Sequence, residues 1–161
     1  HSEKFLDTYQ SERFSNVKEY IETTMRMGEF VNSVGSHKIT SNISSRPDGT
    51  KSMQSIKPSI GFGLGTRSDK NRGKIFPQLK MKNGKILDSK FSKEPILLHS
   101  SKLKKFKYFN KITSIEDSRV KGLSNLLKRY KAKAIVVRPD RFILGTCNKI
   151  KDFHLIKNLP I

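Results

Sequence analysis

The chain has 161 residues, enough for one domain with its own core and an appended element. Hydrophobic residues make up 34% and form no run of membrane-span length, and no signal peptide is read at the first four residues, so a soluble cytoplasmic protein is expected. The single cysteine, Cys147, excludes an internal disulfide and a dithiol redox pair.

The formal charge of +19 suits a nucleic-acid or other polyanion partner, but it is unevenly spread. Residues 1–33 hold four basic and six acidic side chains, a net of −2, so the remainder carries +21. Lysine supplies 24 of the 33 positive charges. A drift toward Lys, Asn, Ile and Ser usage explains this balance about as well as a dedicated polyanion site does.

Residues 3–32 read as one long amphipathic helix. Leu6, Tyr9, Arg13, Val17, Tyr20, Ile21, Thr24, Gly28 and Val31 recur at spacings of three and four, mostly one face of a 3.6-residue period. Ser2 suits the N-cap, and Glu3 and Asp7 suit the positive end of the helix. At roughly 1.5 Å per residue the helix would be about 45 Å long, more than a small domain needs, which points to a neighbour it packs along.

Residues 34–59 read as a linker or extended surface loop rich in serine, with a strong turn signal at Arg46-Pro47-Asp48-Gly49. Residues 60–161 read as an α/β unit. Gly61-Phe62-Gly63-Leu64-Gly65 opens it as a flexible entry loop. Asn83-Gly84 predicts a tight hairpin between residues 74–81 and 85–87. Strands are expected within 94–99, 108–115, 134–137 and 142–145, and helices over 120–130 and 150–159. Arg138-Pro139-Asp140-Arg141 predicts a structural hairpin turn between antiparallel strands, with its arginines projecting into solvent. The rival reading makes Arg138 and Arg141 an anion clamp.

Two stretches resemble a known family. Phe5-Leu6-Asp7-Thr8-Tyr9-Gln10-Ser11-Glu12-Arg13, followed by Met25-Arg26-Met27-Gly28, resembles the helix after the flavin-binding core of class A flavoprotein monooxygenases. Ala134-Ile135-Val136-Val137-Arg138-Pro139-Asp140-Arg141-Phe142-Ile143 looks like the near-terminal signature of their phenol hydroxylase branch, which includes the 3-(3-hydroxyphenyl)propionate hydroxylases. Gly73-Lys74-Ile75-Phe76-Pro77-Gln78 and Asn83-Gly84-Lys85 sit where that branch has a similar strand and turn. Many relatives carry glycine at the position of Arg141.

The resemblance implies a long helix, 1–33, from the end of the flavin-binding region. It also implies a linker, 34–59, and a thioredoxin-like domain, 60–161, whose first helix is missing or reduced because residues 100–107 are few for a parallel crossover. It implies an FAD-dependent enzyme that uses NAD(P)H and O2 to hydroxylate an aromatic ring. Neither the Gly-x-Gly-x-x-Gly fingerprint nor the family's Gly-Asp segment is found in this sequence. The chain is therefore expected to be a structural or dimerising portion whose cofactor-binding residues precede residue 1. No catalytic, cofactor-binding or metal residue is assigned within it. The alternative is a basic nucleic-acid-binding or polyanion-binding module.

The remaining candidates take ordinary readings. Lys102-Leu103-Lys104-Lys105-Phe106-Lys107-Tyr108-Phe109 mixes cations and aromatics, but reads as a strand or loop packing alternate residues inward rather than a base-stacking platform. His37, His99, His154 and Cys147 match no metal-ligand spacing. Cys147 lacks a nearby base and reads as a small hydrophobe. Glu116 and Asp117 read as caps for the helix over 120–130. Tyr9, Glu12 and Arg13 could hydrogen-bond to a flavin domain or pair at the surface. Asn42-Ile43-Ser44 matches a glycosylation acceptor but is given little weight without a secretion signal.

Overall fold

The computed structural model describes residues 4–33, 43–45, 47, 51–53, 56–61, 69–91, 93–103 and 112–149. The chain divides into two compact units, His1–Gly61 and Phe62–Ile161.

In the first unit, α1 (Lys4–Ser33) runs 30 residues. No proline interrupts it, and Asp7 lies in its first turn. Among its described side chains the buried ones are polar: Glu12, Asn16 and Thr23, which recur at helical spacing on one side. The Asn16 amide donates to the Pro58 carbonyl at 3.1 Å, and the Gly61 amide donates to the Glu12 carbonyl at 2.6 Å. A Cβ at Gly61 would collide with the Ser11 carbonyl, so only glycine fits this approach. Gly61 is thus a docking point rather than part of a loose entry loop, while residues 62–65 lie outside the described residues.

The stretch expected as a linker contains a small hairpin. Strands β1 (Ile43–Ser45) and β2 (Lys51–Met53) pair antiparallel, with Ile43 opposite Met53 and Ser45 opposite Lys51. Pro47 lies at a turn between them, where the Arg-Pro-Asp-Gly signal predicts one. The strands escaped the sequence reading because serine-rich segments this short carry almost no hydrophobic alternation.

The second unit is a mixed α/β layer. Strands β3 (Ile96–His99), β4 (Thr113–Glu116), β5 (Ala134–Val137) and β6 (Ile143–Cys147) form a sheet in the order β4-β3-β5-β6. β3 and β4 are parallel, whereas β3–β5 and β5–β6 are antiparallel. β3 and β5 are buried along their whole length, as their continuous apolar runs predict for central strands. One face of the sheet packs Phe76, Leu87, Leu98, Ile115, Leu123 and Ile135 into a core. The opposite face gathers Leu97, Ile112, Val136, Leu144 and Cys147.

Helix α2 (Leu123–Arg129) begins three residues later than the periodicity predicts. Asp117–Arg119 forms a 3₁₀ turn first, and Val120 bridges to Met81. Gly122, at φ 80°, then takes the N-cap position in a left-handed conformation. The Asn83-Gly84 turn forms, but the arms expected over 74–81 and 85–87 are isolated bridges rather than strands: the Met81 amide donates to the Lys85 carbonyl at 2.8 Å, Lys80 bridges Ile86, and Leu87 already begins a 3₁₀ turn. Gly84, at φ 84°, supplies the positive φ that the turn requires. The helix expected over 150–159 lies outside the described residues.

Both flanks of the sheet need attention, because an edge strand offers unpaired backbone groups. Residues 69–76 run along the outer edge of β6. There the Gly73 amide donates to the Ile143 carbonyl, the Ile143 amide to the Lys74 carbonyl, and the Phe76 amide to the Arg141 carbonyl, at 2.9, 2.9 and 2.7 Å. Among the described residues, the opposite edge strand, β4, is bonded within the sheet only to β3.

Candidate functional site

The most distinctive surface is the apolar side of α1. Periodicity predicts that Leu6, Tyr9, Val17, Tyr20, Ile21 and Val31 face a neighbour. All six are exposed, as are Phe14, Met25 and Met27, by 49% to 74%. The helix thus sets Glu12 and Asn16 against Gly61 and Pro58, while these apolar side chains stay exposed. Large contiguous apolar surface of this kind marks an interaction site. Of the sequence-selected trio, which lie within one turn of α1, Glu12 is buried, Arg13 is half-buried and Tyr9 is exposed.

The Arg138–Arg141 stretch is a hairpin turn between adjacent antiparallel strands, as predicted. The Arg141 amide donates to the Arg138 carbonyl and the Arg138 amide to the Phe142 carbonyl, both at 2.9 Å. Arg141 itself sits at φ 70°, the left-handed residue that follows a three-residue hairpin turn. Glycine would meet that same backbone requirement without a Cβ. The expectation that the arginine side chains project into solvent is overturned. Arg141 Nη1 donates to Asp88 at 2.7 Å and Nη2 to the Phe76 carbonyl at 3.1 Å, while Arg138 pairs with Asp140 at 2.8 Å. The guanidinium of Arg141 turns inward because Asp88, 53 residues earlier, is held beside the turn by the 3₁₀ turn Leu87–Lys90. Both clamp arginines thus have carboxylate partners inside the chain, which weakens the anion-clamp reading.

A second polar junction escaped the sequence reading. The Asp69 carboxylate accepts the Thr146 amide at 2.5 Å, the Thr146 hydroxyl at 3.0 Å and the Asn71 amide at 2.9 Å. The Asn71 side chain donates on to the Tyr130 carbonyl at 3.1 Å. The available signal was Asp69-Lys70-Asn71 ahead of Gly73, a cluster suited to an Asx turn.

Glu116 and Asp117 do not cap α2, since Gly122 holds that position. Burial pushes the Asp117 carboxyl up. The amide and hydroxyl of Ser101, the hydroxyl of Ser100 and the amide of Ser118 outweigh that and hold it below the usual carboxylate range. The Ser101 amide donates to it at 2.9 Å, closing residues 100–103 onto the end of β4. A folded-state pKa below the unfolded one contributes stability above the unfolded value of about 3.8, lost as pH falls through the folded value. Asp117→Asn should therefore cost about 0.5 kcal/mol at pH 7, a figure reduced for the group's exposure. The difference from the parent should shrink toward acid pH, as urea titrations at pH 7 and pH 3 would show.

His99 is buried on β3, its Nδ1 3.1 Å from the Ser100 carbonyl, and Cys147 is buried at the end of β6. His37 and His154 lie outside the described residues, as do 104–109 of the cationic-aromatic stretch; Lys102 is exposed and Leu103 half-buried. Among the described residues no group of three His, Cys, Asp or Glu side chains could hold a metal ion, and no helix is long and apolar enough to cross a membrane. Comparison of the chain with protein-family models, with curated proteins and with solved structures finds no match.

Proposed function

We propose that the chain is the C-terminal, non-catalytic part of an FAD-dependent aromatic-ring hydroxylase of the phenol hydroxylase branch. Its α1 seats on the flavin-binding core of that enzyme. The observation that carries this reading is the inverted burial of α1: polar Glu12, Asn16 and Thr23 inside, Tyr20, Ile21 and their apolar neighbours outside. An exposed apolar stripe on a 30-residue helix is what remains when a larger partner is taken away. The family-like residues 5–13 and 25–28 lie on this same helix. In the second unit, the parallel pair β3–β4, helix α2 and the antiparallel hairpin β5–β6 support a thioredoxin-like layout.

FAD, bound by the core, would supply oxygen activation, with NAD(P)H as reductant. The chain's own part is to present α1 and to brace the core through the second unit. Titrating FAD with the isolated chain should leave flavin fluorescence unquenched. Tyr20→Glu combined with Ile21→Glu should leave the isolated chain's melting temperature nearly unchanged, because both residues are already exposed. In the complete enzyme the same pair should lower NAD(P)H-dependent hydroxylation at least tenfold. Unchanged hydroxylation would remove the docking role.

A second reading rests on the +21 charge of residues 34–161: a module that binds a polyanion. Affinity for single-stranded DNA that falls steeply with salt, and is insensitive to the α1 substitutions, would favour it over the first.

A further inference from the structure

We infer that the open edge of β4 is a docking groove for an acidic peptide in extended conformation, which adds to the sheet as a fifth strand. The two edges of the sheet are treated differently. Residues 69–76 shield β6 through the three backbone bonds described above, whereas among the described residues β4 has a sheet partner on one side only. Beside β4 lies a groove of about 480 Å³.

Residues 113–115, three in succession, line that groove. Successive side chains on a strand point to opposite faces, so a groove that touches three in a row follows the backbone edge rather than one face. Thr113 and Ser114 are both exposed, as an edge position allows, while Ile115 is buried in the core. The far bank is built by residues 81–83, Lys90, Ser118 and Arg119. The hairpin is stitched to this bank by the Lys82 amide donating to the Arg119 carbonyl at 2.9 Å and the Lys121 amide donating to the Lys80 carbonyl at 2.8 Å. The groove wall is therefore a braced element.

The chemistry of the lining selects the occupant. Lys82, Lys90 and Arg119 are all exposed, and no acidic side chain lines the groove. An added strand supplies backbone donors and acceptors to β4, and every second side chain then leans toward the cationic bank. Carboxylates at those alternate positions meet the lysines and the arginine fork. A nucleic-acid strand would satisfy the charges but not the backbone edge, so the edge favours a peptide.

The test uses the full chain and a fluorescein-labelled eight-residue peptide of alternating Glu and Val, followed by anisotropy at low ionic strength. Saturable binding is expected. Lys82→Glu and Arg119→Glu should each weaken it about tenfold, with folding verified by circular dichroism. Two further peptides separate strand addition from simple charge attraction without altering the protein. One is N-methylated at the Glu amides and the other at the Val amides, so each loses the donors along one edge. One of the two should lose binding at least tenfold and the other should retain it. Equal binding by both peptides, no binding by the parent peptide, or displacement of the peptide by oligothymidylate with no effect of N-methylation would overturn the inference.

Discussion

Arg141→Ala should destabilise the Phe62–Ile161 unit by about 2 kcal/mol, although residue 141 lies on a tight turn where truncation is usually almost neutral. The side chain is only about a quarter exposed and bridges two elements, Asp88 at 2.7 Å and the Phe76 carbonyl at 3.1 Å. Removing it strands the Asp88 carboxylate, one oxygen of which is already buried without a hydrogen bond. The left-handed φ of 70° adds a second, separable term. Alanine keeps that backbone strain, whereas glycine relieves it at about 1 kcal/mol. Arg141→Gly should therefore be less destabilising than Arg141→Ala by about 1 kcal/mol, reversing the order usual for an exposed helical or strand position. Urea unfolding of the two variants and of Asp88→Ala, with the double variant completing the cycle, measures both terms. Equal stability of Arg141→Ala and the parent would mean that the ion pair contributes nothing.

Asp69→Ala should cost a similar amount, about 2–3 kcal/mol, by a different route. Asp69 closes the outer edge of β6: its carboxylate takes both the amide and the hydroxyl of Thr146, and it orders the Asn71 amide that begins the covering segment. Without it, residues 69–76 lose their anchor and the β6 edge opens to solvent. Asp69→Asn keeps one carbonyl acceptor and should recover roughly half of the loss. Hydrogen exchange provides the second readout. In Asp69→Ala the amides of Gly73, Ile143 and Thr146 should exchange much faster, while those of β3 and β5 should change only with global stability. Protection that falls uniformly across the sheet would show that Asp69 is not a local anchor.

How far the sequence predicted this molecule follows from which interactions are local. β3 and β5 were legible because each is a run of apolar residues bounded by turn signals, Pro95 before one and Arg138-Pro139-Asp140 after the other. The β5–β6 hairpin and the Asn83-Gly84 turn were legible for the same reason. The late start of α2 was not, because it depends on Val120 meeting Met81, a contact between segments 39 residues apart that periodicity cannot express. The inward turn of Arg141 was missed likewise, since its partner Asp88 is distant in sequence and nothing near Arg141 announces it. On α1 the pattern identified an apolar face correctly, but could not tell that its polar side would be buried first, against Pro58 and Gly61. That inversion turns a structural helix into a candidate docking surface.

If this surface seats on a flavin-binding core, the coding sequence in frame ahead of the His1 codon encodes that core. Sequencing upstream should then show a dinucleotide-binding Gly-x-Gly-x-x-Gly between a strand and a helix and a Gly-Asp segment nearer to His1, and expressing the whole frame should give a yellow, FAD-containing protein. A frame that encodes neither motif, or a full-length product that carries no flavin, would contradict it.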